Sequence, residues 1–258
     1  LLPELKKLSN VSLHTIATKS GASANFAQNN FGFNTATTDA TAIIDNKEIN
    51  AVLIATRHDS HADLTVRALL AGKAVLVEKP LGLSKKEITS VREARKNSSS
   101  FFQVGFNRRF APLTQKACDI LKNVEGPRFM VFRINAGNIP TDNWLHNPLE
   151  GGGRIIGEMC HFIDLARHFA RSKITSVQAS AARNSSKTPD DITANVHFEG
   201  GSLATIAYTS LGDPGFPKER LEIFTGNTVL VLDNFKNLSV TANGSTKNHS
   251  NNKQDKGF

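Results

Sequence analysis

The stretch from Val75 to Ser84 constrains the fold more than any other part of the sequence. Apolar β-formers at 75–77 predict a buried strand, which ends abruptly at Glu78-Lys79-Pro80. Ser84 and Glu87 then form the capping-box pattern of a helix that begins immediately afterwards. A strand, a tight loop and a helix in direct succession predict an α/β unit. Its polar side chains would lie at the carboxyl end of the strand, where open α/β sheets bind ligands.

The same alternation occupies the first 106 residues. Predicted strands at 11–17, 51–56, 74–77 and 101–106 alternate with predicted helices at 22–30, 39–44, 60–72 and 85–96. Asp39 and Ser60 are the expected N-caps of the second and third of these helices. Because short connections between parallel strands are right-handed, we predict a doubly wound parallel sheet over residues 1–106.

From residue 107 to 258 the pattern changes to long alternating strands. A helix is predicted from Ala111 to Leu121, and the principal strands are predicted at Arg128–Asn135, Ile174–Ala181 and Asp191–Phe198. Gly200-Gly201 and Gly226-Asn227 have the composition of hairpin turns. The Asn- and Lys-rich tail from Ala242 to Phe258 has little to bury, so we expect it to be loosely ordered. These features predict an α+β domain with a half-buried, mostly antiparallel sheet.

Composition excludes several classes of protein. With 39% apolar residues among 258, the chain can fill real cores, and it contains no apolar run of about 18 residues that would span a membrane. We expect a cytoplasmic protein with no membrane partner. Cys118 and Cys160 are too few for a disulfide framework or a cysteine zinc site, so no metal is expected. The net charge of +8 comes from scattered side chains without a nucleic-acid-binding motif, which argues against a nucleic-acid partner.

Four motifs occur in a characteristic order. They are Ala55-Thr56-Arg57-His58 continuing to His61, Glu78-Lys79-Pro80, Gly105-Phe106-Asn107-Arg108-Arg109-Phe110, and Gly151-Gly152-Gly153 continuing to His161 and Asp164. Together they resemble the Gfo/Idh/MocA oxidoreductase family, which includes glucose-fructose oxidoreductase and myo-inositol dehydrogenase. The segment Arg-Ile-Ile-Gly-Glu before His161 resembles the bi-domain oxidoreductase subgroup. The resemblance implies a nicotinamide-dinucleotide domain followed by an α+β domain with a large open sheet.

The resemblance also implies a cofactor, with two qualifications. The first strand and Gly-rich turn of the family are missing, so we expect a chain truncated at both ends that does not bind NAD or NADP tightly. Where the family has an acidic residue for the ribose, this chain has Thr18-Lys19-Ser20. That segment favours the 2′-phosphate of NADP, and an ordinary polar loop is the alternative. The other cofactor-binding residues implied are Thr56, His58, His61, Glu78 and Pro80.

The catalytic residues implied by the family are Lys79 and His161, with one departure. Oxidation of a secondary alcohol requires a base, for which His161 is suited, and a cation near the developing alkoxide, for which Lys79 is suited. Gly157 replaces the Asp that family members carry four residues before the His. Glu158, three residues before His161 and therefore near the same helix face, could replace that Asp. The alternative is that Glu158 forms a local salt bridge and that Asp164 holds the imidazole.

A sugar-like substrate would be bound by a separate set of side chains, namely Asn107, Arg108, Arg109, Trp144 and Asp164. The resemblance therefore implies an oxidoreductase that transfers hydride between nicotinamide and a secondary alcohol of a sugar, polyol or nucleotide-sugar, and we expect this fragment to be inactive alone. Two alternatives stay open: a non-catalytic ligand-binding or regulatory relative, and a structural dimerisation fragment. For the sheet strands Asp191–Phe198 and Leu203–Tyr208, we expect another copy of the chain to cover the open face, giving a homo-oligomer.

Overall fold

The computed structural model describes residues 2–182 and 189–257. Within it the chain forms two compact units, Leu1–Gly105 and Phe106–Phe258. The triplet Asn184-Ser185-Ser186, which has the Asn-x-Ser pattern of a glycosylation acceptor but is not expected to be glycosylated, lies outside the described residues.

The first unit alternates short parallel strands with helices. Its strands are β1 (Thr15–Ala17), β2 (Thr35–Thr37), β3 (Ala51–Ile54), β4 (Ala74–Val77) and β5 (Phe102–Val104). Its helices are α1 (Leu2–Leu5), α2 (Gly21–Phe31), α3 (Ala40–Asp45), α4 (His61–Leu70) and α5 (Lys85–Lys96). Strand β1 pairs with β2, and β4 lies between β3 and β5, all in parallel. The predicted parallel sheet is confirmed, although β2 was missed.

The helix starts of this unit follow local chemistry with one exception. The Ser84 hydroxyl accepts from the Glu87 amide, and the Glu87 carboxylate accepts from the Ser84 amide, so the capping box is confirmed. Asp39 caps α3 by accepting from the amide of Thr41. Ser60 is the N-cap residue of α4, as predicted, but its side chain makes no capping hydrogen bond. A 3₁₀ turn precedes α4, and the Ser60 hydroxyl instead lies 2.6 Å from the hydroxyl of Thr56.

The core of the first unit lies between its three-stranded sheet and helices α4 and α5. Val75 and Val77 are fully buried, which confirms the predicted buried strand. Leu69 of α4 and Val91 of α5 cover them. Burying each such aliphatic side chain contributes about 1.5–3 kcal/mol, so β4 is held firmly where its carboxyl end carries Glu78 and Lys79.

The second unit is built on one large sheet. Its strands are β6 (Phe129–Asn135), β7 (Ile174–Ala181), β8 (Ile192–Phe198), β9 (Leu203–Thr209), β10 (Glu219–Thr225), β11 (Thr228–Asp233), β12 (Asn237–Ala242) and β13 (Ser245–Ser250). Among the described residues these eight strands run in the order β13-β12-β11-β10-β6-β9-β8-β7. The β6–β9 pair is parallel and the other pairs are antiparallel, so the prediction of a mostly antiparallel sheet is confirmed.

One face of this sheet is covered by helices α6 (Pro112–Leu121) and α7 (Cys160–Ala170). Along β8 the side chains of Ala194, Val196 and Phe198 are buried, while the intervening polar residues are exposed, as the alternation predicted. Phe162 and Phe169 of α7 complete the core.

The two predicted hairpin turns are found at Gly200-Gly201, between β8 and β9, and at Gly226-Asn227, between β10 and β11. Both residues of the second turn have positive φ, as the tight hairpin turn requires.

The tail is more ordered than its composition predicted. Residues 245–250 form β13, which pairs with β12 through a turn at Asn243-Gly244, where both residues have positive φ. Hydroxyls of Thr241 and Thr246 lie 2.9 Å apart across the pair. The prediction of loose order was wrong for this segment, because ladder hydrogen bonds and an Asn-Gly turn can form an edge strand without apolar burial.

Two searches of the described ranges gave no candidates. No helix there combines the length and apolarity needed to cross a bilayer. Likewise, no group of three His, Cys, Asp or Glu side chains within those ranges is arranged to hold a metal ion.

Candidate functional site

The first unit places its predicted site residues directly after strand ends. Thr18, Lys19 and Ser20 follow β1, and Ser20 caps α2 by accepting from the Ser23 amide at 3.2 Å. Thr18 donates to the carbonyl of Ser20 at 2.7 Å. The exposed Lys19 therefore lies beside the amino end of an 11-residue helix, a combination that favours a phosphate. The residues present fit the adenosine end of a dinucleotide.

His61 connects the loops that follow β3 and β4. Its ring nitrogens lie 2.8 Å from the carbonyl oxygen of Pro80 and 2.9 Å from that of Thr56, and the residue is 1% exposed. His58, also buried, packs its ring 5.7 Å from that of His61. The structure gives His61 a positioning role between two loops, and direct contact with a cofactor stays a prediction.

Glu78 and Lys79 extend from the end of β4. The Glu78 amide donates to the carbonyl of Ile54 at 2.8 Å, and its carboxylate accepts from the Lys79 amide at 3.3 Å. A Cβ at residue 105 would lie 3.2 Å from the Glu78 carboxyl group, so Gly105 leaves the space that this carboxylate occupies. Lys79 is half-buried, and the Lys79-Pro80 peptide bond is cis. The turn thus presents a lysine whose amide is held by the Glu78 carboxylate.

In the second unit, Arg108 occupies a structural position. Its Nε and Nη2 atoms each donate to a Glu219 oxygen at 2.8 Å, and the two side chains are 7% and 5% exposed. Lys256 adds a third contact to Glu219 at 2.7 Å. Burial alone would raise the pKa of Glu219, but the hydrogen bond and charge of Arg108, with Lys256, hold it below its ordinary value. Substrate contact by Arg108 stays a prediction, although this ion pair engages its guanidinium.

The neighbouring residues of the same 3₁₀ turn differ from one another. Arg109 makes a bidentate pair with Asp164, with Nε 2.5 Å from Oδ2, and thereby fastens the turn to α7. The structure therefore pairs the Asp164 carboxylate with the Arg109 guanidinium. Asn107 has a buried Oδ1 atom that accepts no hydrogen bond within the described ranges. Trp144 is half-buried in a separate 3₁₀ turn.

Glu158 lies in a π-helical turn, Ile155–Met159, immediately before α7. Its carboxylate accepts from Arg154 at 3.0 Å, from the Tyr208 hydroxyl at 2.5 Å and from Lys218. Because a π-helix has more residues per turn than an α-helix, the α-helical spacing assumed between Glu158 and His161 is wrong. This network matches the alternative given in the sequence analysis, in which Glu158 forms a local salt bridge instead of supporting His161. His161 is 6% exposed, with its ring centroid 6.1 Å from that of Phe106.

The electrostatics of this network are unusual. Burial would raise the pKa of Glu158, but Lys218, Tyr208 and Arg154 outweigh it and lower the pKa to about 2. Burial and the adjacent Glu158 carboxylate raise the pKa of Tyr208. Nearby, His146 lies 3.9 Å from Asp190, whose pKa is raised by burial. Burial and mutual pairing within the network account for these directions, as in other buried ion-pair networks.

The sequence analysis missed Arg154, Tyr208, Lys218, His146 and Asp190. One signal was available for Tyr208, the single tyrosine of the chain, which occupies an inward-facing position of an alternating strand. A buried tyrosine hydroxyl requires a polar partner, so a buried acceptor could have been expected. Neither Lys218 nor Asp190 carries a comparable local signal.

Replacing Glu158 by Gln is expected to lower the free energy of unfolding at neutral pH by about 3 kcal/mol. The folded pKa of about 2 lies below the ordinary value of 4.5, so the carboxylate's contribution is complete above pH 4.5. It is lost as the pH falls from 4.5 towards 2. Urea titrations at several pH values should show wild type and variant converging over that window. The control is Glu125→Gln in an exposed loop, and a pH-independent difference would contradict the prediction.

Two units of this kind define the fold class of the chain, a Rossmann-type parallel-sheet unit followed by an α+β unit with one large open sheet. Residues 2–106 match the description "Oxidoreductase family, NAD-binding Rossmann fold", and residues 127–229 match the "GFO/IDH/MocA C-terminal domain". The chain belongs to the Gfo/Idh/MocA oxidoreductase family, as its four motifs predicted.

Named relatives support this assignment. Myo-inositol 2-dehydrogenase of Thermotoga maritima is 26% identical over 208 residues, covering 78% of this chain and 62% of that protein. The scyllo-inositol 2-dehydrogenase (NAD(+)) of Bacillus subtilis is 32% identical over 142 residues, covering 54% and 40%. The structure of levoglucosan dehydrogenase in complex with NADH and levoglucosan is similar in fold. Its TM-score is 0.83 at 21% identity, covering 97% of this chain and 75% of that one. The chain spans little more than half of the length of the first curated relatives it matches.

Proposed function

We propose that the protein, at full length, is an NAD(P)-dependent dehydrogenase acting on a secondary alcohol of a sugar, polyol or nucleotide-sugar. The observation that carries the proposal is the Glu78-Lys79 pair, held at the carboxyl end of a buried parallel strand in a Rossmann-type unit. The inositol and levoglucosan dehydrogenases among its relatives supply the class of substrate. The finer assignments, including a cytoplasmic location, are predictions.

When bound, a nicotinamide cofactor would supply the acceptor for a hydride from the carbon that bears the alcohol. His161 takes the hydroxyl proton, and the Lys79 ammonium stabilises the negative charge that develops on oxygen. Glu78, through its contact with the Lys79 amide, restricts the backbone from which the lysine projects. Asn107 offers a buried carbonyl oxygen that can accept from a substrate hydroxyl. Trp144 is a candidate stacking surface for a sugar ring.

The cofactor is proposed to bind the first unit through Lys19, the amino end of α2, and the loops that His61 connects. Lys19 and Ser20 favour the 2′-phosphate of NADP, whereas the name of the scyllo-inositol relative includes NAD(+). A direct comparison of both cofactors in the full-length enzyme decides between them. Lys19→Asp should shift the preference towards NAD if the lysine contacts a 2′-phosphate.

The decisive experiment screens the full-length protein against polyols, sugars and nucleotide-sugars, with NAD and with NADP, by the absorbance of the reduced nicotinamide. Turnover of one class of secondary alcohol is expected. Binding of a sugar without turnover would instead favour the ligand-binding alternative. A protein that neither binds nor turns over any member of the panel would overturn the proposal and favour the structural alternative.

We also propose that a second copy of the chain covers the open face of the large sheet. On this face Phe129 of β6 and Phe224 of β10 are directly paired and are 46% and 40% exposed. The half-buried Leu203 of β9 lies opposite Phe129. Contiguous apolar side chains of this kind are typical of protein interfaces. The open-face positions of β8 are polar, so the apolar part is centred on β6 and β10.

Replacing Phe224 by Lys should therefore dissociate the oligomer. Sedimentation velocity is the measurement, and a shift from dimer or larger species to monomer is the expected result. Val177→Lys is the matched control, because Val177 is 56% exposed and is paired with Val196 on the opposite face. A wild-type protein that stays monomeric at high concentration would count against the interface.

A further inference from the structure

A basic pocket of about 520 Å³ lies in the second unit at the carboxyl end of α7. Its lining includes Arg109, Arg167, Arg171 and Lys173, together with His168 and Ser172, and Glu199 is the one carboxylate of the lining. Four cationic side chains thus face one anionic side chain within the described lining. Arg171 follows His161 by ten residues, so a straight helix separates the pocket from His161 by ~15 Å.

Three of these cations lack an acidic partner. Arg109 is paired with Asp164, but Arg167, Arg171 and Lys173 are exposed and form no ion pair with a carboxylate of the described ranges. These positive charges also affect the neighbouring side chain of His168. Burial lowers the pKa of His168, and the charges of Arg109 and Arg171 lower it further. The pocket therefore has a positive potential, which concentrates anions in a concave surface.

Stabilisation of the end of α7 does not account for these cations. Lys, Arg and His residues in a last helical turn commonly bind the terminal carbonyl groups. Here the buried Arg128, which precedes β6, donates to the carbonyl of Phe169 near the end of α7. It also donates to the carbonyl of Leu121 at the end of α6, at 3.1 Å. The exposed Arg167 and Lys173 are left with their charged groups in solvent.

Arg171 and Ser172 provide two further observations. Arg171 ends α7 in the left-handed region, with φ at 53°, where glycine is the residue of lowest energy. Arg171 therefore carries a long cationic side chain at a backbone position where glycine would be less strained. The hydroxyl of Ser172, which belongs to the lining, is buried and has no hydrogen-bond partner within residues 2–182 and 189–257.

We propose that this pocket binds a phosphate group, either free phosphate or a small phosphate monoester, through Arg167, Arg171 and Lys173. Forked guanidinium donors match the oxygens of a phosphate, and three cations without a carboxylate partner in the described ranges suit a dianion better than a monocarboxylate, although Arg171 also lies 3.5 Å from the carbonyl oxygen of Cys118. Ser172 offers a hydroxyl donor to the same anion. The site goes beyond the proposed dehydrogenase activity and does not depend on it.

The test uses the full-length protein and calorimetric titration with inorganic phosphate, glucose 6-phosphate and acetate at constant ionic strength. Saturable binding of phosphate but not of acetate is expected. Arg167→Gln/Lys173→Gln should weaken it by at least tenfold per lost contact. The control Lys236→Gln/Lys247→Gln makes the same charge change on exposed residues outside the pocket and should leave affinity unchanged. Tighter binding of glucose 6-phosphate would identify a monoester as the ligand, and equal binding would identify the free anion.

Arg171→Gly separates a binding role from a structural one. Relief of the left-handed strain should raise the Tm by about 2 °C, while the affinity for phosphate falls by about tenfold. A structural role alone predicts no loss of affinity. The proposal is overturned if phosphate shows no saturable binding, or if the pocket and control variants lose affinity equally.

Discussion

His161→Ala in the full-length enzyme is expected to lower kcat by roughly 10²–10⁴-fold, with little change in KM. This is the usual contribution of a positioned acid or base, and the loss falls on the transition state. Lys79→Met should lower kcat on a similar scale, because the charge on the developing alkoxide would lose its cation. Steady-state kinetics with the alcohol identified in the screen gives both values, and thermal unfolding shows whether each variant is folded.

His197→Ala is the control for this prediction, since His197 is an exposed histidine on β8. Retention of more than a tenth of the wild-type kcat by a folded His161→Ala protein would exclude His161 as the base. The same result would leave the family assignment intact, because that assignment rests on the fold and the motifs.

Glu158→Gln tests the remaining hypothesis about support of His161. If Glu158 orients the imidazole, kcat should fall by about a hundredfold with KM little changed. The contacts to Arg154, Tyr208 and Lys218 predict instead a loss of stability with a smaller effect on kcat. A folded variant with nearly normal kcat would reject orientation by Glu158. Asp164→Asn would then test the other carboxylate, with Arg109 as its known partner.

Glu219→Gln should lower the free energy of unfolding of the second unit by about 3–5 kcal/mol. The Arg108 side chain is 7% exposed, and removal of its carboxylate leaves a buried charge without compensation. The folded pKa of Glu219 is below its ordinary value of 4.5, so the contribution is present above that pH and lost as the pH falls. Guanidinium denaturation at pH 7 and at pH 4 measures the change.

Arg108→Met/Glu219→Leu is the informative companion to this variant. Because replacing a whole buried ion pair by apolar side chains is often nearly neutral, most of the lost stability should return. A Glu219→Gln protein within about 1 kcal/mol of wild type would show that Arg108 is solvated in solution. That outcome would favour the predicted role of Arg108 in binding substrate.

The sequence by itself determined the features that depend on neighbouring residues. The capping box at Ser84 and Glu87 involves atoms three residues apart, so its residue types specify the helix start. Burial of Val75 and Val77, and the alternation along β8, follow from the twofold period of a strand. The glycine turn at Gly226 follows from its backbone requirements. Local periodicity and turn chemistry therefore predicted most of the fold.

Only the tertiary structure decided how the charged residues of the second unit are paired. Arg108 pairs with Glu219, which lies 111 residues later in the sequence. Glu158 accepts hydrogen bonds from Tyr208 and Lys218, which lie 50 and 60 residues later. Such pairs depend on the register of strands in the sheet and on one π-helical turn. The sequence-based prediction assumed α-helical spacing between residues 158 and 161, whereas residues Ile155–Met159 form a π-helical turn. A carboxylate's role follows from the donors that surround it, and packing of distant segments places those donors.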